Sequence, residues 1–146
     1  MKRVSEGDVE AYIKKSKESQ AKQELVYRSE LEIRARARLG ELRVSYDNEG
    51  PAVAYLIKEF GSANAYIEGL VGWNKNGNGL LKRLKHLAQE QKSTTMYFHV
   101  RSETKKERVA MKRASSCSHL PEEIADYIGS QFDSGWSLFK YRSLGD

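Results

Sequence analysis

The 146-residue sequence has a single cysteine, Cys117, so no internal disulfide can form. That usage fits a reducing setting, and a cytoplasmic location is the expectation. No apolar run approaches the roughly 18 residues that a bilayer-spanning helix needs. The opening Met1-Lys2-Arg3-Val4-Ser5-Glu6 lacks the apolar core of a signal peptide. Prolines are scarce: Pro51 and Pro121 are the two, and each falls at an expected element boundary. No repeat, low-complexity tract or linker-like stretch is present. Two nucleotide loops are also missing. Without Gly-x-x-x-x-Gly-Lys-[Ser/Thr] the chain is not a P-loop NTPase. Without Gly-x-Gly-x-x-Gly, and with antiparallel strands expected, a dinucleotide fold is disfavoured.

What remains is an ordinary globular composition, 39% apolar and 31% charged, which suits one domain over residues 1–146. The net charge of +5 is uneven. Residues 75 to 113 hold eleven Lys/Arg against three acids, which leaves the rest of the chain net negative. Such an excess suggests a polyanionic ligand: a nucleotide cofactor, nucleic acid or an acidic protein. It also fits a solvated basic helix face.

Lys2 to Val4 can form a short first strand. Ser5-Glu6-Gly7-Asp8 can start a helix, with Val9, Tyr12 and Ile13 on its apolar face. Residues 14 to 22 are polar enough for an exposed helix or a loop. From Glu24 to Leu42 both periods fit, but the scarcity of β-branched residues favours a helix with Leu31, Ala35 and Leu39 inward. Its Arg34-Ala35-Arg36-Ala37-Arg38 string reads as a salt-bridged face beside Glu30, Glu32 and Glu41.

The period then becomes two. Leu42 to Tyr46, Pro51 to Phe60 and Ala65 to Trp73 predict a three-stranded antiparallel meander, with turns at Asp47-Asn48-Glu49-Gly50 and Gly61-Ser62-Ala63-Asn64. Asn74-Lys75-Asn76-Gly77-Asn78-Gly79 leads into an amphipathic basic helix to about Lys92, and Thr94 to Val100 is a strand. Ser102 is expected to cap a helix running to about Ser116. Pro121-Glu122-Glu123 opens a short helix bearing Ile124, Ile128 and Phe132, and Trp136 to Arg142 is the last strand.

The Gly77-Asn78-Gly79 stretch between strand and helix can bring backbone N–H groups close to an anion, because no Cβ intervenes at the glycines. The following helix start adds unpaired N–H donors and the positive end of its dipole, a phosphate cradle. Asn-Gly pairs also mark plain turns. Glu68 lies in the strand leading to this loop. It is a candidate base if apolar neighbours raise its pKa, or else it points outward on an alternating strand. His99 could relay a proton or be a hydrogen-bonded structural histidine. No metal-ligand set stands out, and Cys117 reads as a structural or surface thiol.

In order of elements the chain resembles the GNAT acyltransferase superfamily, over most of its length. Lys2-Arg3-Val4 with Asp8-Val9 looks like the family's opening, and residues 65 to 100 look like its cofactor-binding unit. The resemblance implies an α+β fold with a mixed, mainly antiparallel central sheet flanked by helices. It implies acetyl-CoA or another acyl-CoA as cofactor, and direct attack of an acceptor amine on the thioester. By position, the amides of Gly77, Asn78, Gly79 and Leu80 would bind pyrophosphate, and the backbone of Leu70, Val71 and Gly72 would pair with the pantetheine arm. Glu68 and His99 would be the catalytic pair. Asn74 stands where the family's loop opens with Arg or Gln. No tyrosine lies near Ala114, where the family carries its general acid; Ser115, Ser116 and Cys117 are there instead. Those departures keep a second expectation open. It is a non-catalytic GNAT-like protein, or a phage or plasmid accessory protein, binding nucleic acid or a protein partner through residues 75–113.

Overall fold

The computed structural model describes residues 4–61, 63–73 and 95–142. Most of the expected first strand, the glycine loop and the basic helix after it lie outside these residues.

Helix α1 (Glu6–Ala21) starts where the sequence offers a capping box. The Ser5 hydroxyl accepts from the Asp8 amide at 3.2 Å, and the Asp8 carboxylate accepts from the Ser5 amide at 3.3 Å. Val9, Tyr12, Ile13 and Ser16 form its buried stripe, and the polar residues that left helix or loop open stay helical to Ala21. Helix α2 (Glu30–Arg38) begins at Ser29, whose hydroxyl accepts from the Glu32 amide at 3.1 Å. It is shorter than expected and turns a different face inward. Ile33 and Arg36 are buried, whereas Leu31 and Leu39 are 76% and 73% exposed. The expected salt-bridged face is present: Arg34 bonds Glu6, Glu10 and Glu30.

Strands β1 (Leu42–Asp47), β2 (Gly50–Phe60) and β3 (Asn64–Gly72) form the expected meander. Strand β4 (Thr95–Arg101) joins β3 in parallel, the one parallel pairing of the sheet among the described residues. Helix α3 (Lys105–Arg113) follows, then β5 (Ser115–Ser116), α4 (Glu122–Ile128) and β6 (Trp136–Arg142). The sheet order is β1-β2-β3-β4-β6-β5, a mixed, mainly antiparallel sheet in an α+β fold.

Helix α3 departs from expectation at both ends. Its cap is Thr104, whose hydroxyl accepts from the Glu107 amide at 3.3 Å. Ser102 sits in the preceding turn, paired with the Ser137 hydroxyl at 2.8 Å. The helix stops at Arg113 because Ser115 and Ser116 pair with Lys140 and Phe139 of β6.

Both faces of the sheet are covered, which is why β2 is buried continuously from Ala52 to Ile57. Tyr55, Ile57, Ile67, Met96, Phe98 and Phe139 pack under Val109 and Ala110 of α3. On the opposite face, Leu42, Leu56 and Val71 pack under Val9, Tyr12, Ile13 and Ile33. Ile124 and Ile128 of α4 cover Tyr66. No helix among the described residues is long and apolar enough to cross a membrane.

Candidate active site

Strands β3 and β4 pair only from Asn64–Thr95 to Ile67–Phe98, although β3 continues to Gly72 and β4 to Arg101. Beyond that point they part. The parting coincides with a bulge in β3. Leu56 faces Glu68 and Ala54 faces Val71, so Gly69 and Leu70 together oppose the one residue Tyr55. Gly69 holds φ at +58°, a conformation open to glycine and strained for most L-residues. Tyr12 of α1 fixes this kink by donating its hydroxyl to the Gly69 carbonyl at 2.8 Å. The fit is close: a Cβ at position 69 would lie 2.2 Å from the Tyr12 oxygen.

Past the bulge, the Trp73 amide donates to the Ala52 carbonyl at 2.9 Å. By strand alternation, the amide and carbonyl of Gly72 face away from β2, toward the opening. The Leu70 carbonyl accepts the Lys106 ammonium of α3 at 3.0 Å. Leu70 and Val71 are themselves buried.

Glu68, just before the bulge, points inward, its side chain 3% exposed. Its surroundings are not apolar, as its neighbours along the strand suggested. Arg28 donates to one carboxylate oxygen at 2.5 Å; Arg36 and the Tyr127 hydroxyl, the latter at 3.0 Å, donate to the other. Arg36 also holds Glu41 at 2.8 Å and the Ile57 carbonyl at 3.2 Å. Burial and the nearby Glu68 push the Tyr127 phenol up to about 12, so it remains a donor at neutral pH.

His99 lies on β4, one residue beyond the last that pairs with β3, and opposite Leu138 of β6. Its Nδ1 shares a hydrogen bond with the Tyr66 hydroxyl at 2.5 Å, and its ring stacks on Phe132 at 3.9 Å between centroids. Burial lowers its pKa to about 4 and raises that of Tyr66, so both groups are neutral at pH 7 with a proton between them. Tyr66 also meets the Tyr127 ring edge-on at 6.5 Å, which joins the histidine pair to the Glu68 cluster.

Glu68 thus immediately precedes the bulge that leads to Leu70, Val71 and Gly72, and His99 lies just past the point where β4 leaves β3. Gly77, Asn78, Gly79 and Leu80 lie outside the described residues, as does the 75–94 part of the basic 75–113 region. Of that region, Lys105, Arg108 and Lys112 line a cavity of about 480 Å³ with Val109 and Met111. Near Ala114, Ser115 and Ser116 are engaged in β5, and the Cys117 thiol donates to the His119 carbonyl at 2.8 Å. Sequence reasoning did not single out Arg28, Tyr66, Lys106 or Tyr127 for the site. No local pattern marks them, because their partners are 33 to 59 residues away.

No family model matches the sequence, and neither does any curated protein. Solved structures do match in fold. N-acetylglutamate synthase from Neisseria gonorrhoeae, complexed with coenzyme A and N-acetyl-glutamate, aligns with a TM-score of 0.73 at 15% identity, over 97% of this chain and 34% of that one. A Mycobacterium tuberculosis protein in complex with CoA aligns with a TM-score of 0.65 at 14% identity, over 97% of both chains. A GNAT-family protein from Bacteroides thetaiotaomicron aligns with a TM-score of 0.62 at 17% identity, over 98% of this chain and 86% of that one. The chain therefore spans about a third of the synthase and most of the other two. Its mixed sheet, order of elements and these alignments establish the fold: it is that of the GNAT acetyltransferases.

Proposed function

We propose that the protein is an acyl-CoA-dependent N-acyltransferase that moves an acetyl or similar group to an amine. The observation that carries the reading is the parting of β3 and β4 at the Gly69 bulge, with the backbone groups of Gly72 turned away from β2. A pantetheine arm is an extended chain that carries amide groups. It suits such an edge as an added strand would, provided that the Lys106 ammonium yields the Leu70 carbonyl. Structures of this fold bound to coenzyme A support the choice of ligand.

Leu70, Val71 and Gly72 would hold the arm, and the amides of Gly77, Asn78, Gly79 and Leu80 would take the pyrophosphate. Acyl-CoA, when bound, supplies the thioester whose acyl carbon the amine attacks. The acceptor arrives as an ammonium and must lose a proton first. Glu68, which already holds Arg28, Arg36 and the Tyr127 hydroxyl, would fix the charged cluster beside the opening rather than take that proton. Tyr66 and His99 form the relay beside it: His99 Nδ1 takes the phenol proton as the phenol takes another.

The test is a thermal-shift series with acetyl-CoA, followed by detection of free thiol in the presence of a panel of amines. Stabilisation by acetyl-CoA is expected through preferential binding to the folded state, with thiol release that depends on one class of amine. Replacing Gly77 and Gly79 by bulky residues should abolish the shift. Absence of any shift across several acyl-CoA molecules would refute the reading.

A further inference from the structure

We propose that Lys106 is itself an acyl acceptor, its ε-amine taking an acyl group from the thioester held between β3 and β4. The proposal rests on the acyl-CoA reading above and adds a modification site within it.

Lys106 belongs to the first turn of α3, on one side of the sheet, yet its Nζ reaches the Leu70 carbonyl at 3.0 Å. That carbonyl belongs to the backbone proposed to hold the donor's arm. The lysine is half-buried, and no carboxylate among the described residues forms an ion pair with it. The charged groups that act on it are Glu24, in the segment between α1 and α2, and Lys15 of α1. Burial and Lys15 together outweigh Glu24 and hold the amine below its ordinary pKa.

A desolvated lysine without a counter-ion is an unfavourable structural choice and a suitable nucleophile. Its flexible stem lets the amine swing about Leu70 without moving the helix. The chemistry is the same as for an external amine. The Nζ lone pair attacks the acyl carbon, the C–N bond forms and the C–S bond breaks. The leaving thiolate takes a proton from the nitrogen, giving free thiol and an amide. No oxidant or further reactant is needed. The product suits the site better than the ammonium does: it is neutral, and it keeps one N–H for the Leu70 carbonyl.

The experiment incubates the full chain with acetyl-CoA and follows intact mass and peptide maps. One acetyl group per chain is expected, on Lys106, at least about tenfold faster than on Lys105 or Lys112, as expected for a donor held beside the amine. Acetyl phosphate, a donor without the CoA arm, should reverse that order and favour the surface lysines. Lys106→Arg should lose the adduct. Lys106→Met should also lose it, with stabilisation by free CoA retained. If CoA stabilises the protein but Lys106 reacts no faster than Lys105, self-acylation is wrong and the acyl-CoA reading stands. If acetyl phosphate selects Lys106 equally well, the site is merely reactive and the proposal falls. If no form of CoA binds and no adduct appears, both readings fall.

Discussion

The Tyr12 hydroxyl donates to the Gly69 carbonyl at 2.8 Å, across 57 residues of sequence, and so ties α1 to the kink where β3 leaves β4. The same oxygen leaves no room for a side chain at position 69. Gly69→Ala should therefore lose about 3 kcal/mol, of which roughly 1–2 is the cost of positive φ. Tyr12→Phe should lose about 1–2 kcal/mol by leaving a carbonyl unpaired. In Tyr12→Phe the nearest atom to a new Cβ would be the ring carbon, at 3.6 Å. The double variant should thus be more stable than the sum of the two losses. Urea denaturation of the four proteins checks this; strict additivity would mean that the hydroxyl does not limit position 69.

Glu68 is the counter-charge shared by Arg28 and Arg36. Glu68→Gln leaves the buried Arg36 and the half-buried Arg28 guanidiniums facing an amide and should lose about 3 kcal/mol, as a broken buried pair does. In an Arg36→Met background the same substitution should lose clearly less, because one of the stranded charges is gone. Chemical denaturation at pH 7 measures both differences. Equal losses in the two backgrounds would show that Arg28 alone carries the pair.

His99 makes stability depend on pH. Its pKa falls from 6.5 unfolded to about 4 folded, so the folded state favours the neutral ring. That stability is fully present above the unfolded value and is lost as pH drops from about 6.5 to 4. The ring is partly exposed, so solvent screening reduces the loss to about 1–2 kcal/mol. Carboxylates titrate nearby, and the comparison with His99→Gln isolates the histidine. The variant's stability should fall less steeply between pH 7 and pH 4. Parallel profiles would mean that burial does not hold the ring neutral.

Much of the fold was legible because local chemistry decides it. Ser5 with Asp8 forms the expected cap, and the two-residue period from Leu42 onward gives three strands in their observed order. The failures come from longer range. Leu31 and Leu39 have the right spacing for an inward face, but Glu68 draws Arg36 in, and the helix rotates accordingly. Ser102 and Thr104 are both competent caps; Glu103 at φ +65° places the start after it. The site was half legible. Glu68 was found as an acid in an apolar strand, but its partners come from the segment before α2, from α2 and from α4, and no spacing rule connects those.

In the proposed function, the backbone past the Gly69 bulge receives the arm of an acyl-CoA. Amide hydrogen exchange at Leu70, Val71 and Gly72, measured with and without CoA, tests it most directly. Saturating CoA should slow exchange at Gly72, whose amide faces the opening, while Val71, already turned to β2, changes little. Binding of CoA that leaves exchange at Gly72 unchanged, or the absence of any binding, would contradict the claim.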